Sequence, residues 1–247
     1  MPAAGTGVLA DHQGASAIAL ISSCLPQKHR HPRRLWALFL CCACGAALAQ
    51  AQVTLIDRQS FAGAQLAAPA AATHRLRLGL VRLEGSGWTR ARALGVLREA
   101  APILARCGVA LERAELVSLA VAPRYLDFAT PAARELARAW PAPRPAVYFV
   151  RDTRSRPAFD AEAIGRGNSR TRPELADTVW ITAAARDAGL VLAHELAHVL
   201  MDSGEHSDEP GNLMRDETSP QNASLSDAQC ARLRDTALGN GLLGKAD

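Results

Sequence analysis

The stretch from Val191 to Leu200 reads VLAHELAHVL, and no other pattern in the chain constrains the fold as strongly. His194 and His198 are four residues apart, so on an α-helix their side chains project from the same face. The residues on the other faces are apolar, which predicts that the helix is buried against other elements. The chain is therefore expected to fold around this helix, with two imidazoles directed at one point.

The composition is that of one globular domain. The chain has 247 residues, of which 49% are apolar and 21% are charged, and these figures exclude collagen-like, coiled-coil and wholly disordered proteins. The net charge of +4 is uneven, because residues 1–49 contain four basic residues and one acidic residue, which leaves +1 for the remainder. A nucleic-acid partner is not expected, since phosphate binding needs a concentrated basic face.

The first 49 residues have the features of an export signal. A basic cluster over residues 28–34 runs into the uncharged apolar stretch Leu35–Leu48, whose 14 residues are fewer than a spanning helix needs. Ala47-Leu48-Ala49 then forms a small-x-small cleavage pattern before Gln50. The prediction is a removed secretory signal and an exported protein; the alternatives are an uncleaved anchor and a buried helix. Residues 1–27 precede a complete signal, which suggests a start codon downstream of Met1.

The remaining chain divides into a leader and a domain. Residues 50–73 are rich in Ala and Gln without a sustained period, which predicts a flexible leader, and residues 74–247 form the domain. Alternation and capping signals predict strand, helix, strands, helix, two strands, a long helix, an irregular segment and a final helix. This order is typical of the α+β class, with a mixed twisted sheet, a long site helix and a C-terminal helix. The main elements are expected at Arg75–Leu80, Trp88–Cys107, Val109–Val121, Thr130–Trp140, Ala146–Val150 and Thr178–Thr182. A capping box at Ser226–Gln229 is expected to open the last helix, which runs through Cys230 and Leu233.

Glu195 completes a His-Glu-x-x-His signature, in which it is placed to take a proton from metal-bound water. The alternative is a solvated helix face with satisfied histidines. Of seven histidines, three fall in residues 1–49, and three of the other four lie within 13 residues. This concentration favours a metal site.

Two helical histidines leave a catalytic zinc site one protein ligand short of the usual three. His206 is the favoured third ligand, because neutral imidazole suits Zn²⁺ and Gly204 can end the helix and turn the chain toward the metal. Asp202 is the runner-up, since it lies four residues beyond the second histidine and shares its helical face. Two further rival donors are Glu205 and Asp208.

Only two cysteines, Cys107 and Cys230, remain after the signal is removed. In an exported protein such a pair is interpreted as one disulfide. The alternative is two buried free thiols.

The segment from Val191 to Met214 resembles the active site of the metzincin clan of zinc endopeptidases. In that clan a His-Glu-x-x-His helix ends at a glycine, a third ligand follows, and a turn containing methionine underlies the metal. The sequence GNLM at 211–214 is similar to that turn, so the resemblance implies that Met214 is its methionine. The clan places the glycine three residues and the third ligand six residues after the second histidine. Here those intervals are six and eight residues, so a longer loop is expected.

The resemblance extends more weakly to other parts of the chain. Leu104–Val109 resembles the end of the clan's first long helix, and Leu225–Arg232 resembles its C-terminal helix. A metzincin-like zincin domain is implied, in which the disulfide would tie these two helices together.

The activity that the resemblance implies is hydrolysis of peptide bonds by zinc-activated water, with Glu195 as the general base. The substrate would be a peptide or protein, bound by strand addition to an edge strand within Phe159–Ser169. A monomer is expected, without membrane attachment once the signal is removed. The alternatives are a zinc hydrolase that acts on a non-peptide amide or ester, and a non-catalytic metal-binding protein of the same fold.

Overall fold

The computed structural model describes residues 53–66, 72–153, 163–166 and 173–246. These residues belong to one compact unit, Ala47–Asp247. The predicted signal, residues 1–49, lies outside the described residues. No helix among the described residues has the length and apolar character needed to cross a membrane.

Nine strands and four α-helices make up the described part of the chain. The strands are β1 (Thr54–Ala62), β2 (His74–Leu83), β3 (Val109–Ala120), β4 (Asp127–Phe128), β5 (Ala146–Val150), β6 (Asp152–Thr153), β7 (Ala163–Arg166), β8 (Thr178–Thr182) and β9 (Leu243–Lys245). The helices are α1 (Arg90–Ala105), α2 (Thr130–Ala139), α3 (Ala188–Met201) and α4 (Asp227–Gly239).

The main sheet is mixed and has the order β1-β3-β2-β5-β8-β7. Strands β3, β2, β5 and β8 run parallel, while β1 and β7 pair antiparallel at the two ends of this order. Strand β9 pairs antiparallel with the start of β2, and β4 and β6 form a small separate parallel pair. The predicted α+β architecture, a mixed sheet with a long buried helix and a C-terminal helix, is confirmed.

Helices cover both faces of this sheet. Because side chains alternate along a strand, Leu80 and Phe149 belong to the core shared with α1, α3 and α4, whereas Val81 and Tyr148 belong to the core shared with α2. The central strands are buried on both faces, which explains the continuous apolar runs of β5 and β8. The site helix α3 thus packs against a sheet that other layers hold in place.

The prediction of a flexible leader over residues 50–73 is wrong for residues 54–66. Thr54–Ala62 forms β1, which pairs with β3, and Gly63–Leu66 forms a 3-10 turn. All nine β1 residues are exposed or half-buried, because the strand lies at the end of the sheet and is held mainly by backbone hydrogen bonds. Its sequence therefore lacks the apolar period that marks buried strands.

Cys107 and Cys230 form a disulfide, as predicted. Their Cα atoms are 4.9 Å apart and they are separated by 123 residues in the sequence. Gly108, which has a φ of +72°, turns the chain immediately after Cys107. The bond fixes the first turn of α4 to the turn that follows α1.

Candidate metal centre

Helix α3 presents the two histidines of the sequence signature from a buried position. The side chains of His194 and His198 are 4% and 9% exposed, and their Nε2 atoms are 3.0 Å apart. Glu195 lies between them on the same helix and is half-buried. The neighbouring apolar residues of α3 are in the core, so the helix backbone holds both imidazoles in a fixed relation.

Helix α3 ends at Met201 and is capped by Asp202, rather than ending at the predicted Gly204. Asp202 adopts a left-handed conformation with φ 47° and ψ 50°, and its N–H donates to the carbonyls of His198 and Val199. Aspartate tolerates this conformation better than most residues because its short polar side chain can hydrogen-bond locally. The chain therefore turns two residues earlier, and the Ser203 carbonyl accepts a 2.7 Å hydrogen bond from His198 Nδ1.

The loop that follows brings His206 to the two helical histidines. His206 Nε2 lies 3.2 Å from His198 Nε2, and the candidate ligand atoms of all three histidines are within 4.8 Å of one another. Asp202 is exposed and is not part of this group of three. Of the other rival donors, Glu205 pairs with Arg232 at 2.8 Å, and the backbone carbonyl of Asp208 accepts from Arg215.

A buried turn over residues 211–214 lies beside His194. Gly211 has a φ of +78°, and the Leu213 carbonyl accepts a 2.7 Å hydrogen bond from His194 Nδ1. Met214 is buried, and its carbonyl accepts from Ser207 N–H at 2.8 Å. The turn that the sequence analysis compared with the methionine turn of metzincins is thus in contact with the first histidine.

Asn212 connects this turn to the start of α4. Its Oδ1 accepts a 2.9 Å hydrogen bond from Met214 N–H, and its Nδ2 donates to Gln229 Oε1 at 2.9 Å. The same Gln229 oxygen accepts from Ser226 N–H, which completes the predicted capping box. The helix cap and the site therefore share one hydrogen-bond network.

Each of the three histidines has an acceptor at Nδ1. These are the Leu213 carbonyl, the Ser203 carbonyl and, for His206, Asp216 Oδ1 at 2.7 Å. An acceptor oxygen requires that Nδ1 carry the proton, which leaves Nε2 of a neutral imidazole with a lone pair. The three Nε2 atoms are then the ring nitrogens that a cation can bind, and the candidate ligand atoms of the group lie within 4.8 Å of one another.

Burial supports the neutral form of the two helical imidazoles. It lowers the pKa of His194, and it lowers the pKa of His198 to about 4, with a further contribution from the nearby His194. Both rings are therefore uncharged at neutral pH, which is the form that binds metal ions.

The distances from His198 Nε2 to the other two ring nitrogens fit a tetrahedral transition metal. Ligand nitrogens about 2.05 Å from a tetrahedral Zn²⁺ lie roughly 3.3 Å apart, close to the observed 3.0 and 3.2 Å. Imidazole donors suit zinc, copper, iron and nickel better than magnesium or calcium. The chemistry and spacing of His194, His198 and His206 thus match a metal ion held by three protein ligands.

The side-chain pattern of the sequence does not show what orients these ligands. The carbonyls of Ser203 and Leu213 have no side-chain signature, so no residue pattern could reveal them. Asp216 and Asn212 do have polar side chains, and their positions two residues on either side of Met214 were a usable signal.

Comparisons with known proteins found a similar solved structure and no matching family. No protein-family model matches the chain, and no curated protein matches it. Among solved structures, the crystal structure of metalloproteinase-II from Bacteroides fragilis is similar with a TM-score of 0.47 and 16% sequence identity. The match covers 68% of this chain and 55% of that chain, so the chain spans about half the length of that protein.

Proposed function

We propose that the protein is an exported zinc-dependent endopeptidase. In this proposal His194, His198 and His206 bind Zn²⁺ and Glu195 is the general base. The observation that carries it is the proximity of the candidate ligand atoms of three histidines, two of which flank Glu195 on helix α3. That combination matches the ligand set and base of a hydrolytic zinc site.

The number of ligands favours catalysis over a structural metal. Structural zinc sites are almost always closed by four protein ligands, whereas catalytic sites keep one position for water or substrate. Among the described residues, the group of metal-binding side chains contains three members. A zinc ion bound there would retain an open position.

Glu195 is the residue that moves the proton in this proposal. Bound zinc acidifies water toward neutral pH and polarises the carbonyl under attack. The Glu195 carboxylate would accept the water proton and return it to the leaving amine. The apolar surroundings of α3 strengthen these interactions because they keep the local dielectric low.

Strand β7 supports a peptide as the substrate. It lies at the end of the sheet, antiparallel to β8, and it falls within the predicted Phe159–Ser169 segment, of which the described residues are 163–166. An extended peptide can add to a sheet edge through backbone hydrogen bonds. This mode of binding suits an enzyme that cleaves within a chain.

Export of the protein fits the position of the first strand. Cleavage after Ala49 would leave β1 whole, because the strand begins at Thr54. Sequencing the N-terminus of the protein from its native source should give Gln50. A start at Pro2 would exclude processing at this site.

Zinc content and cleavage of a mixed peptide library test the proposed activity together. Wild type should contain one zinc per chain and cleave peptides. Glu195→Ala should keep zinc and lose hydrolysis, because only the base is removed, whereas His198→Ala should lose both. The control Asp202→Asn should retain both, because it removes the charge of the runner-up ligand and keeps a residue that tolerates the left-handed conformation.

Two results would contradict the proposal. If purified wild type lacks stoichiometric zinc, the protein is neither a zinc endopeptidase nor a zinc hydrolase of another substrate class. Zinc without peptide cleavage would favour a hydrolase of non-peptide amides or esters, or a binding protein of the same fold.

A further inference from the structure

His206 is the most exposed of the three histidines and has the least packing to fix its ring. Its side chain is 39% exposed, and it lies in the loop after α3 rather than on the helix. His194 and His198 are held by the α3 backbone and by the surrounding core. The orientation of the third imidazole therefore depends on its own contacts.

The acceptor for His206 differs in kind from those of the other two histidines. Main-chain carbonyls accept from Nδ1 of the helical histidines, whereas the carboxylate of Asp216 accepts from His206 Nδ1 at 2.7 Å. A charged acceptor makes the stronger hydrogen bond and increases the electron density at the opposite ring nitrogen. The third ligand is thus the one whose basicity depends on a side chain.

The backbone around His206 is positioned without the help of the Asp216 side chain. Ser207 N–H donates to the Met214 carbonyl at 2.8 Å, and Arg215 Nη1 donates to the Asp208 carbonyl at 2.7 Å. These bonds place the segment 206–208 beside the segment 214–216. The Asp216 carboxylate, which is 86% exposed, is left to control the rotation of the imidazole.

We propose that Asp216 is a positioning residue for the metal centre, which orients His206 and increases its affinity for Zn²⁺. The inference rests on the proposed function, because it requires that the three histidines bind zinc. One short segment would then hold two of the three ligands, with the Leu213 carbonyl on His194 and the Asp216 carboxylate on His206.

The zinc dissociation constant of the purified protein, measured by competition with a chelator, tests this role. Asp216→Ala should weaken zinc binding by about 10- to 100-fold, as is typical when a partner of a ligating histidine is lost. Asp216→Asn should recover part of the loss, because its amide oxygen still accepts from Nδ1 without the charge. The matched control is Glu217→Gln, which removes the charge of the adjacent exposed residue and should leave the constant within about twofold of wild type.

Thermal melting of the metal-free proteins separates positioning from folding. Asp216 is exposed, so the melting temperatures of wild type and Asp216→Ala should agree, and Asp216→Ala is then the deciding variant for zinc affinity. If the melting temperatures differ, Asp216→Asn becomes the deciding variant. A zinc affinity within twofold of wild type in the deciding variant would overturn the inference. Equal weakening in Glu217→Gln would also overturn it, because a general charge effect would then suffice. Wild type that binds no zinc would instead defeat the proposed function itself.

Discussion

Asn212 is a buried amide at the junction of the site turn, the loop after α3 and the start of α4. It is 5% exposed, and its side chain bonds to the backbone of Met214 and to the side chains of Gln229 and Glu209. Both ends of the amide are used, so no smaller residue can replace it without leaving buried polar groups unpaired.

Asn212→Ala is expected to lower the free energy of unfolding by about 2–4 kcal/mol, because Met214 N–H and the Gln229 amide each lose a partner. The same change should weaken zinc binding, since the Leu213 carbonyl that orients His194 lies in this turn. Chemical denaturation and chelator competition measure the two effects. The control Asn240→Ala alters an exposed asparagine at the far end of α4 and should change neither quantity appreciably.

At the scale of single residues, the spacing of the histidines predicted their shared helical face, but the sequence did not predict where the helix ends or which backbone groups orient the rings. The interval of four placed His194 and His198 on one helical face, and the structure has them there. The point at which α3 ends could not be derived in the same way, since glycine is the usual left-handed residue and Asp202 takes that conformation here. Nor do the backbone acceptors of the ring nitrogens leave any trace in the side-chain pattern.

The packing of α1 against α3 depends on a glycine. A Cβ built on Gly189, near the start of α3, would collide with the Glu99 side chain and lie 3.2 Å from the Val96 carbonyl. Gly95, which is also helical, has no such neighbour within 4 Å of an added Cβ. Gly95 and Gly189 therefore have different roles.

Substituting alanine at these two positions should have opposite effects. Gly189→Ala is expected to destabilise the protein by about 1–3 kcal/mol, because α1 and α3 must move apart. Gly95→Ala is expected to stabilise it by about 0.5–1 kcal/mol, because alanine costs less conformational entropy in a helix. Urea denaturation of both variants measures the difference. If both variants change the free energy of unfolding by similar amounts and in the same direction, the close contact at Gly189 does not determine how α1 packs against α3.

At the scale of elements, buried strands could be predicted from the sequence and exposed strands could not. The buried strands Ala146–Val150 and Thr178–Thr182 were predicted with the bounds that the structure shows, because strands covered on both faces are continuously apolar. Strand β1 was missed because its side chains face solvent and backbone pairing with β3 is its main support. Strand β9 has three residues, too few to show a period.

For the whole molecule, helix α4 links distant parts of the chain to the site. The disulfide joins Cys230 in the first turn of α4 to Cys107 in the turn that follows α1, and Arg234 Nη1 donates to the Cys107 carbonyl at 2.8 Å. Gln229, one residue before the disulfide, holds Asn212 beside the histidines. Constraining α4 therefore also constrains the turn that orients His194.

Removing the disulfide with Cys107→Ala and Cys230→Ala together should lower the free energy of unfolding by about 2–4 kcal/mol, since a closed loop of this length restricts the unfolded chain. Wild type treated with reductant should show a similar loss, whereas the double variant should not respond to reductant. Because α4 carries Gln229, zinc should also dissociate faster from the reduced protein. Urea denaturation with and without reductant, together with a count of free thiols, measures these effects. If wild type has two free thiols and its urea midpoint does not change on reduction, the bond does not form in solution.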